Sequence, residues 1–108
     1  MIQLTVLYAQ PQDPAAFDRH YREVHVPLAN KLPGLKGYTV HKPTSLDPRE
    51  QSPYYQIADL YFDSPQALQA ALISPEGQAA AGDLQNFATA GVTLLAGEVE
   101  IYGSVAIG

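Results

Sequence analysis

Hydrophobic and polar positions alternate from the second residue of the chain. Ile2, Leu4, Val6 and Tyr8 fall on one side of an extended segment, with Gln3, Thr5 and Leu7 on the other, which is the period-two pattern of a strand over residues 2–9. Pro11, Asp13 and Pro14 interrupt it. Asp13-Pro14 predicts a helix start, because an aspartate can accept from first-turn N–H groups and proline fits the first helical position. From there Phe17, Tyr21, Val24 and Leu28 recur at spacings of four, three and four, laying four apolar side chains along one helical face. Pro27 lies inside this pattern and has no N–H to give. The helix is therefore expected to kink or loosen around Glu23 to Val26 and to end near Asn30.

Pro33-Gly34 marks a turn, after which residues 36–42, with Tyr38, Thr39 and Val40, predict a second strand. Residues 43–53 carry three prolines and read as a loop. Residues 54–62 are the strongest strand segment: Tyr54, Ala58, Leu60 and Phe62 on one side, Tyr55, Ile57 and Tyr61 on the other. Ser64 caps a helix with the stripe Ala67, Leu68, Ala71 and Leu72, which stops at Ser74-Pro75. A second helical piece runs to about Ala88, with Leu84 and Phe87 as its largest apolar contacts and Gly77 and Gly82 weakening it. The last strand is expected over residues 91–102, with a bulge at Gly97. The order β-α-β-β-α-β predicts an α+β fold, a ferredoxin-like domain over residues 1–108. Helices can cover only one face of such a sheet. Leaving the other apolar face in water costs roughly 25 cal/mol per Å², so a second copy is expected there, making a homodimer.

Composition sharpens this expectation. Charged residues make up 16% of the chain, against about 25% in an average soluble protein. Six basic residues face eleven acidic ones, the net charge is −5, and no basic run occurs, which argues against nucleic-acid binding. The absence of cysteine excludes disulfides, thiolate metal sites and a cysteine nucleophile. No apolar stretch approaches the ~20 residues of a membrane helix and no basic leader opens the chain, so a cytoplasmic protein without membrane contacts is expected.

Candidate chemistry rests on a few residues. At ~100° per residue, His25 lies about 80° round the helix from Phe17 and His20 about 60° the other way, so the two flank the apolar stripe. His25 stands beside the Val26-Pro27 disruption. It can bond a carbonyl freed there, or serve a pocket as acid, base or donor. His20 sits between Arg19 and Arg22 in a polar stretch, and His41 near a strand end. A metal site would need these imidazoles to converge, which opposite helix edges oppose, and no phosphate loop or metal motif occurs. No metal and no cofactor is expected. Asp59 is unusual in an apolar strand, since a buried unpaired carboxylate costs several kcal/mol. It shares its side with Tyr55, Ile57 and Tyr61, which allows an aromatic-lined cavity holding one carboxylate, or an ion pair with Arg19, Arg22 or Lys36 across a dimer. The candidate site comprises His25 and Asp59 as catalytic groups, with Tyr8, Phe17, Tyr21 and Tyr61 contacting substrate.

The segment Phe17-Asp18-Arg19-His20-Tyr21-Arg22-Glu23-Val24-His25-Val26-Pro27-Leu28-Ala29, followed by Leu32-Pro33-Gly34-Leu35-Lys36-Gly37-Tyr38, resembles the EthD family of the dimeric α+β barrel superfamily. Ser74-Pro75-Glu76 and Asp83-x-x-Asn86-Phe87 resemble that family's second helical region. The resemblance implies protomers whose sheets pack face to face, a pocket between each sheet and its helices, and the family histidine at His25. It links the chain to bacterial ether degradation and, through the superfamily, to cofactor-free monooxygenases, isomerases, cyclases and decarboxylases. The expected function is binding, with or without turnover, of a small apolar or aromatic catabolite. The alternative is a non-catalytic accessory protein of a degradation pathway.

Overall fold

The computed structural model describes residues 1–104. It contains β1 (Ile2–Ala9), α1 (Pro14–His20), a π-helical turn (Tyr21–His25), α2 (Val26–Ala29), β2 (Gly37–His41), β3 (Tyr54–Phe62), α3 (Pro65–Ile73), α4 (Pro75–Phe87) and β4 (Val92–Glu98). The strands form one antiparallel sheet in the order β2-β3-β1-β4, so the fold is α+β and ferredoxin-like, as its element order predicts. Alternation becomes burial directly. Ile2, Leu4, Val6 and Tyr8 of β1, with Ala58, Leu60 and Phe62 of β3, face the helices and form the core with Phe17, Tyr21, Leu68 and Phe87. Asp13 and Ser64 cap α1 and α3 as the sequence predicts, accepting from the N–H groups of Ala16 and Ala67. Ser74 ends α3 and starts α4: its hydroxyl donates to the Ala71 carbonyl at 2.6 Å and accepts from the Gly77 N–H at 3.0 Å.

The expected disturbance before Pro27 takes the form of the π turn. An α-helical Pro27 would have to return an N–H to Glu23 and cannot; the chain instead widens so that the Val26 N–H donates to the Tyr21 carbonyl, five residues back. The extra residue rotates everything after it. The buried stripe is Phe17, Tyr21, His25 and Ala29, whereas Val24, expected in the core, is 40% exposed. His25 thus occupies the core position that regular helical spacing assigns to Val24.

Two strand expectations are also corrected. β4 ends at Glu98 rather than Tyr102, and its register with β1 runs unbroken through Gly97, so no bulge lies there. The irregularity falls where Tyr8 pairs with Gln56 and Ala9 with Tyr54, leaving Tyr55 without a partner. A bulged residue escapes strict alternation. Tyr55 accordingly leaves the side of Ile57 and Tyr61, packs its ring edge-on against Phe17 at 5.3 Å, and donates its hydroxyl to Asp18 of α1. The helix-free face retains Leu7, Ile57, Tyr61 and Leu95, the last 59% exposed.

α3 and α4 approach closely at Gly77, where an added Cβ would lie 2.1 Å from the Ala71 carbonyl oxygen and 2.6 Å from that of Leu72. Glycine to alanine within a helix ordinarily adds up to ~1 kcal/mol of stability. At Gly77 the sign reverses: Gly77→Ala should destabilise by about 1–3 kcal/mol through backbone overlap, read as a lower urea midpoint. Gly82→Ala, whose Cβ meets nothing within 4 Å, should raise the midpoint and serves as the internal comparison.

Candidate functional site

The site is assembled by the π turn and α4. Ala80, Asp83 and Phe87 recur at helical spacing on the buried side of α4, which places a carboxylate in an apolar row. Asp83 is 6% exposed and cannot remain there unpaired. Its Oδ2 accepts from His25 Nδ1 at 3.0 Å, and its Oδ1 from His20 Nε2 at 2.8 Å and from Asn86 Nδ2 at 3.0 Å. Phe87 packs against both imidazoles, with ring centroids 4.9 Å from His25 and 5.1 Å from His20.

The charges follow from these partners. Burial by itself would raise the Asp83 carboxyl, but the bonds from Asn86, His20 and His25 outweigh it and hold the group below its ordinary value of 3.8. An ionised carboxylate only accepts, so His25 must carry its proton on Nδ1. Burial also lowers the pKa of His25 below 6.5; Asp83 opposes this only in part, and His20 adds to the lowering. His25 is therefore a neutral imidazole near pH 7, with Nε2 bearing the lone pair. Nε2 has no protein partner, yet it is not sealed in: the fully buried, unpartnered side-chain atom among the described residues is Gln56 Nε2.

His25 lines a cavity of about 60 Å³ between the sheet and the helices, walled by apolar groups such as Leu4, Leu60 and Leu84, with Tyr8, Tyr21 and Tyr38 supplying hydroxyls. Tyr21 and Tyr38 share a hydrogen bond. Burial pushes all three phenols above their ordinary range, so they stay protonated and can donate. Beyond His20 and Phe87 lies a second, more polar groove of about 330 Å³, bordered by Asp13 and Asn86.

The EthD domain matches residues 9–91. The chain belongs to the EthD family. It is 47% identical over 95 residues to an uncharacterised 11.0 kDa protein from the thcB–thcC intergenic region of Rhodococcus erythropolis, covering 88% of this chain and 91% of that protein. A crystal structure of an EthD-family protein from Bacillus halodurans superposes with a TM-score of 0.86 at 38% identity, covering 93% of this chain and 99% of that one. A dimeric ferredoxin-like protein of unknown function from Jannaschia superposes with a TM-score of 0.67 at 20% identity, covering 92% and 100% respectively, and supports the fold alone.

Of the residues expected in the site, His25, Tyr8 and Tyr21 line the cavity of this EthD protein. Phe17 stands behind it, packed on Tyr8 and Phe87, and borders the outer groove. Asp59 and Tyr61 do not join them, because strand alternation turns both to the helix-free face. There Asp59 accepts from Gln3 at 3.0 Å and Thr5 at 2.9 Å, within its own sheet. His25 and Asp59 therefore share no cavity. His41 is exposed near the end of β2. His20, expected to point away from His25, meets it at Asp83, since five residues close one π turn. Asp83, which the sequence offers only within the Asp83-x-x-Asn86-Phe87 pattern, is not among the expected site residues, although an aspartate in register with Ala80 and Phe87 on an apolar helical stripe is its signal.

Both charge states enter stability. His25 binds its proton more weakly folded than unfolded, so below pH 6.5 the unfolded chain gains a proton that the fold resists, and stability falls with pH. Asp83 acts lower: its contribution is complete above pH 3.8 and is lost as pH falls through its depressed folded value. Urea midpoints should decline from pH 7 to pH 5 in the natural sequence and decline less steeply in His25→Gln; equal slopes would show that His25 is not the group responsible.

Proposed function

We propose that this EthD protein is a general-base enzyme for a compact, mostly apolar molecule bearing at least one oxygen. The observation that carries the reading is His25: buried, fixed through Nδ1 on a buried carboxylate, with Nε2 unpartnered where the ring borders a cavity. A carboxylate on the far nitrogen orients an imidazole and stabilises the imidazolium formed when the near nitrogen takes a proton. Tyr8, Tyr21 and Tyr38 carry three hydroxyl protons and use two among themselves, Tyr21 bonding both neighbours. The third is free to donate to a substrate oxygen whose charge grows as a neighbouring C–H or O–H is deprotonated. We further propose that the helix-free face pairs with a second copy, and that the homodimer works in cytoplasmic breakdown of small organic compounds.

The cavity volume favours a second reading. About 60 Å³ accommodates roughly two water molecules, so a ligand must displace wall side chains. A non-catalytic accessory protein would tolerate so small a site. Hydrogen–deuterium exchange at the α-carbon of cyclohexanone and acetophenone in deuterated water, followed by proton NMR, separates the two. An enzyme accelerates exchange, and His25→Gln lowers the rate by about 10²-fold or more. Ligand-induced chemical-shift changes without accelerated exchange, equally strong in His25→Gln, would instead support the accessory protein.

A further inference from the structure

His20 and His25 are bound to one carboxylate from opposite ends, one partly exposed and one buried. His20 Nε2 lies 2.8 and 3.1 Å from the two oxygens of Asp83, and its side chain is 27% exposed; His25 Nδ1 lies 3.0 Å from Oδ2, and its side chain is 8% exposed. One negative charge can balance one imidazolium. We propose that His20 is a positioning residue that competes with His25 for the charge of Asp83, so that a proton taken up by His25 inside the cavity is held more firmly when no charge stands on His20.

The surroundings leave this role to the triad. From α4, Asp83 is the ionised group facing both rings, and Asn86 and Phe87 beside it are uncharged. From the sheet, Tyr8 of β1 and Tyr38 of β2 border the cavity of His25 as protonated phenols, and Tyr21 lies on the same helical segment. Asp13 borders the groove beside His20 but is committed to capping α1. Arg19, Arg22 and Glu23 stand on the solvent side of the helix. With His20 doubly protonated the triad is neutral, and a proton added to His25 would leave a net positive charge beside a mostly apolar cavity. With His20 singly protonated, the same proton brings the triad from −1 to neutral. A charge on His20 therefore opposes a charge on His25, because both rings face the same single carboxylate. The direct effect of His20, which lowers the proton affinity of His25, agrees with this geometry.

The consequence for catalysis rests on the general-base reading above. As an N–H forms at His25 Nε2 and the substrate C–H or O–H breaks, the electron pair stays on the substrate. The return step reverses the transfer. With no charge on His20, the proton on His25 pairs with the whole charge of Asp83 and leaves no net charge in the low-dielectric core.

The test reads His25 itself and needs no substrate. The midpoint of the His25 ring signal is followed by NMR against pH in the natural sequence, His20→Gln and His20→Lys, with His20→Asn as a second neutral variant should glutamine perturb folding. A neutral replacement removes the competing charge, so the His25 midpoint should rise by about one unit. Lysine fixes the charge, so the midpoint should stay or fall. Movement of all variants in one direction would indicate loss of packing and overturn the proposal, as would no movement in the neutral variants. Accelerated exchange of cyclohexanone protons is scored separately, so failure of the enzymatic reading leaves the coupling result intact.

Discussion

One missing amide hydrogen organises the histidine-bearing end of this protein. Pro27 cannot complete an α-helical bond to Glu23, and the chain answers with a π turn in which Val26 bonds Tyr21. Everything chemically notable follows from that added residue. It moves His25 from the flank of the helix into the buried row, onto the side of His20, and exposes Val24. Asp83 is tolerable in the apolar row of α4 because two imidazoles and an amide converge on it. A regular helix would strand that carboxylate among hydrocarbon and leave His25 at the margin of the core.

The sheet divides the remaining work between its faces. The side under the helices is apolar and closed, with an aromatic group of Tyr8, Phe17, Tyr21 and Phe87 whose rings meet edge-on, stacked or tilted at 5.1–6.0 Å. Such packing fixes ring positions and leaves the imidazoles little freedom. The opposite side combines Leu7, Ile57, Tyr61 and Leu95 with the Gln3–Thr5–Asp59 hydrogen-bonded group. Polar groups satisfied within one sheet can be covered by a second sheet without losing their partners. That explains how an aspartate can stand in the middle of a strand on an otherwise apolar surface.

Much of this was legible in the residues. Period-two alternation located β1 and β3 and assigned most of their faces, while Asp13, Ser64 and Ser74 with their following prolines marked three helix starts. Pro27 announced a disturbance at the right place. Its form was not legible, because a missing donor can yield a kink, a break or a wide turn, and only packing against α4 selects among them. The bulge at Tyr55 was hidden for a related reason: it is a property of the β1–β3 register, visible when both strands are placed together. Asp59 attracted attention as an isolated charge in an apolar strand, whereas Asp83 looked ordinary among the small and polar residues of α4. Isolation in sequence points to Asp59, which its own sheet satisfies; burial points to Asp83.

The bulge has a mechanical consequence. By swinging Tyr55 onto Asp18, which also accepts from Lys42 at 2.8 Å, it bolts the start of the histidine-bearing helix to β3 and to the chain just beyond β2. Lys42 lies 4.3 Å from the Tyr55 ring centroid and bonds Gln56, so the joint grips three segments at once. The other wall of the cavity is held differently: Asp83 ties α4 to the π turn through His25 and His20, while Leu72 on α3, 41% exposed, and Leu32 in the turn that follows α2 meet at its rim as hydrocarbon.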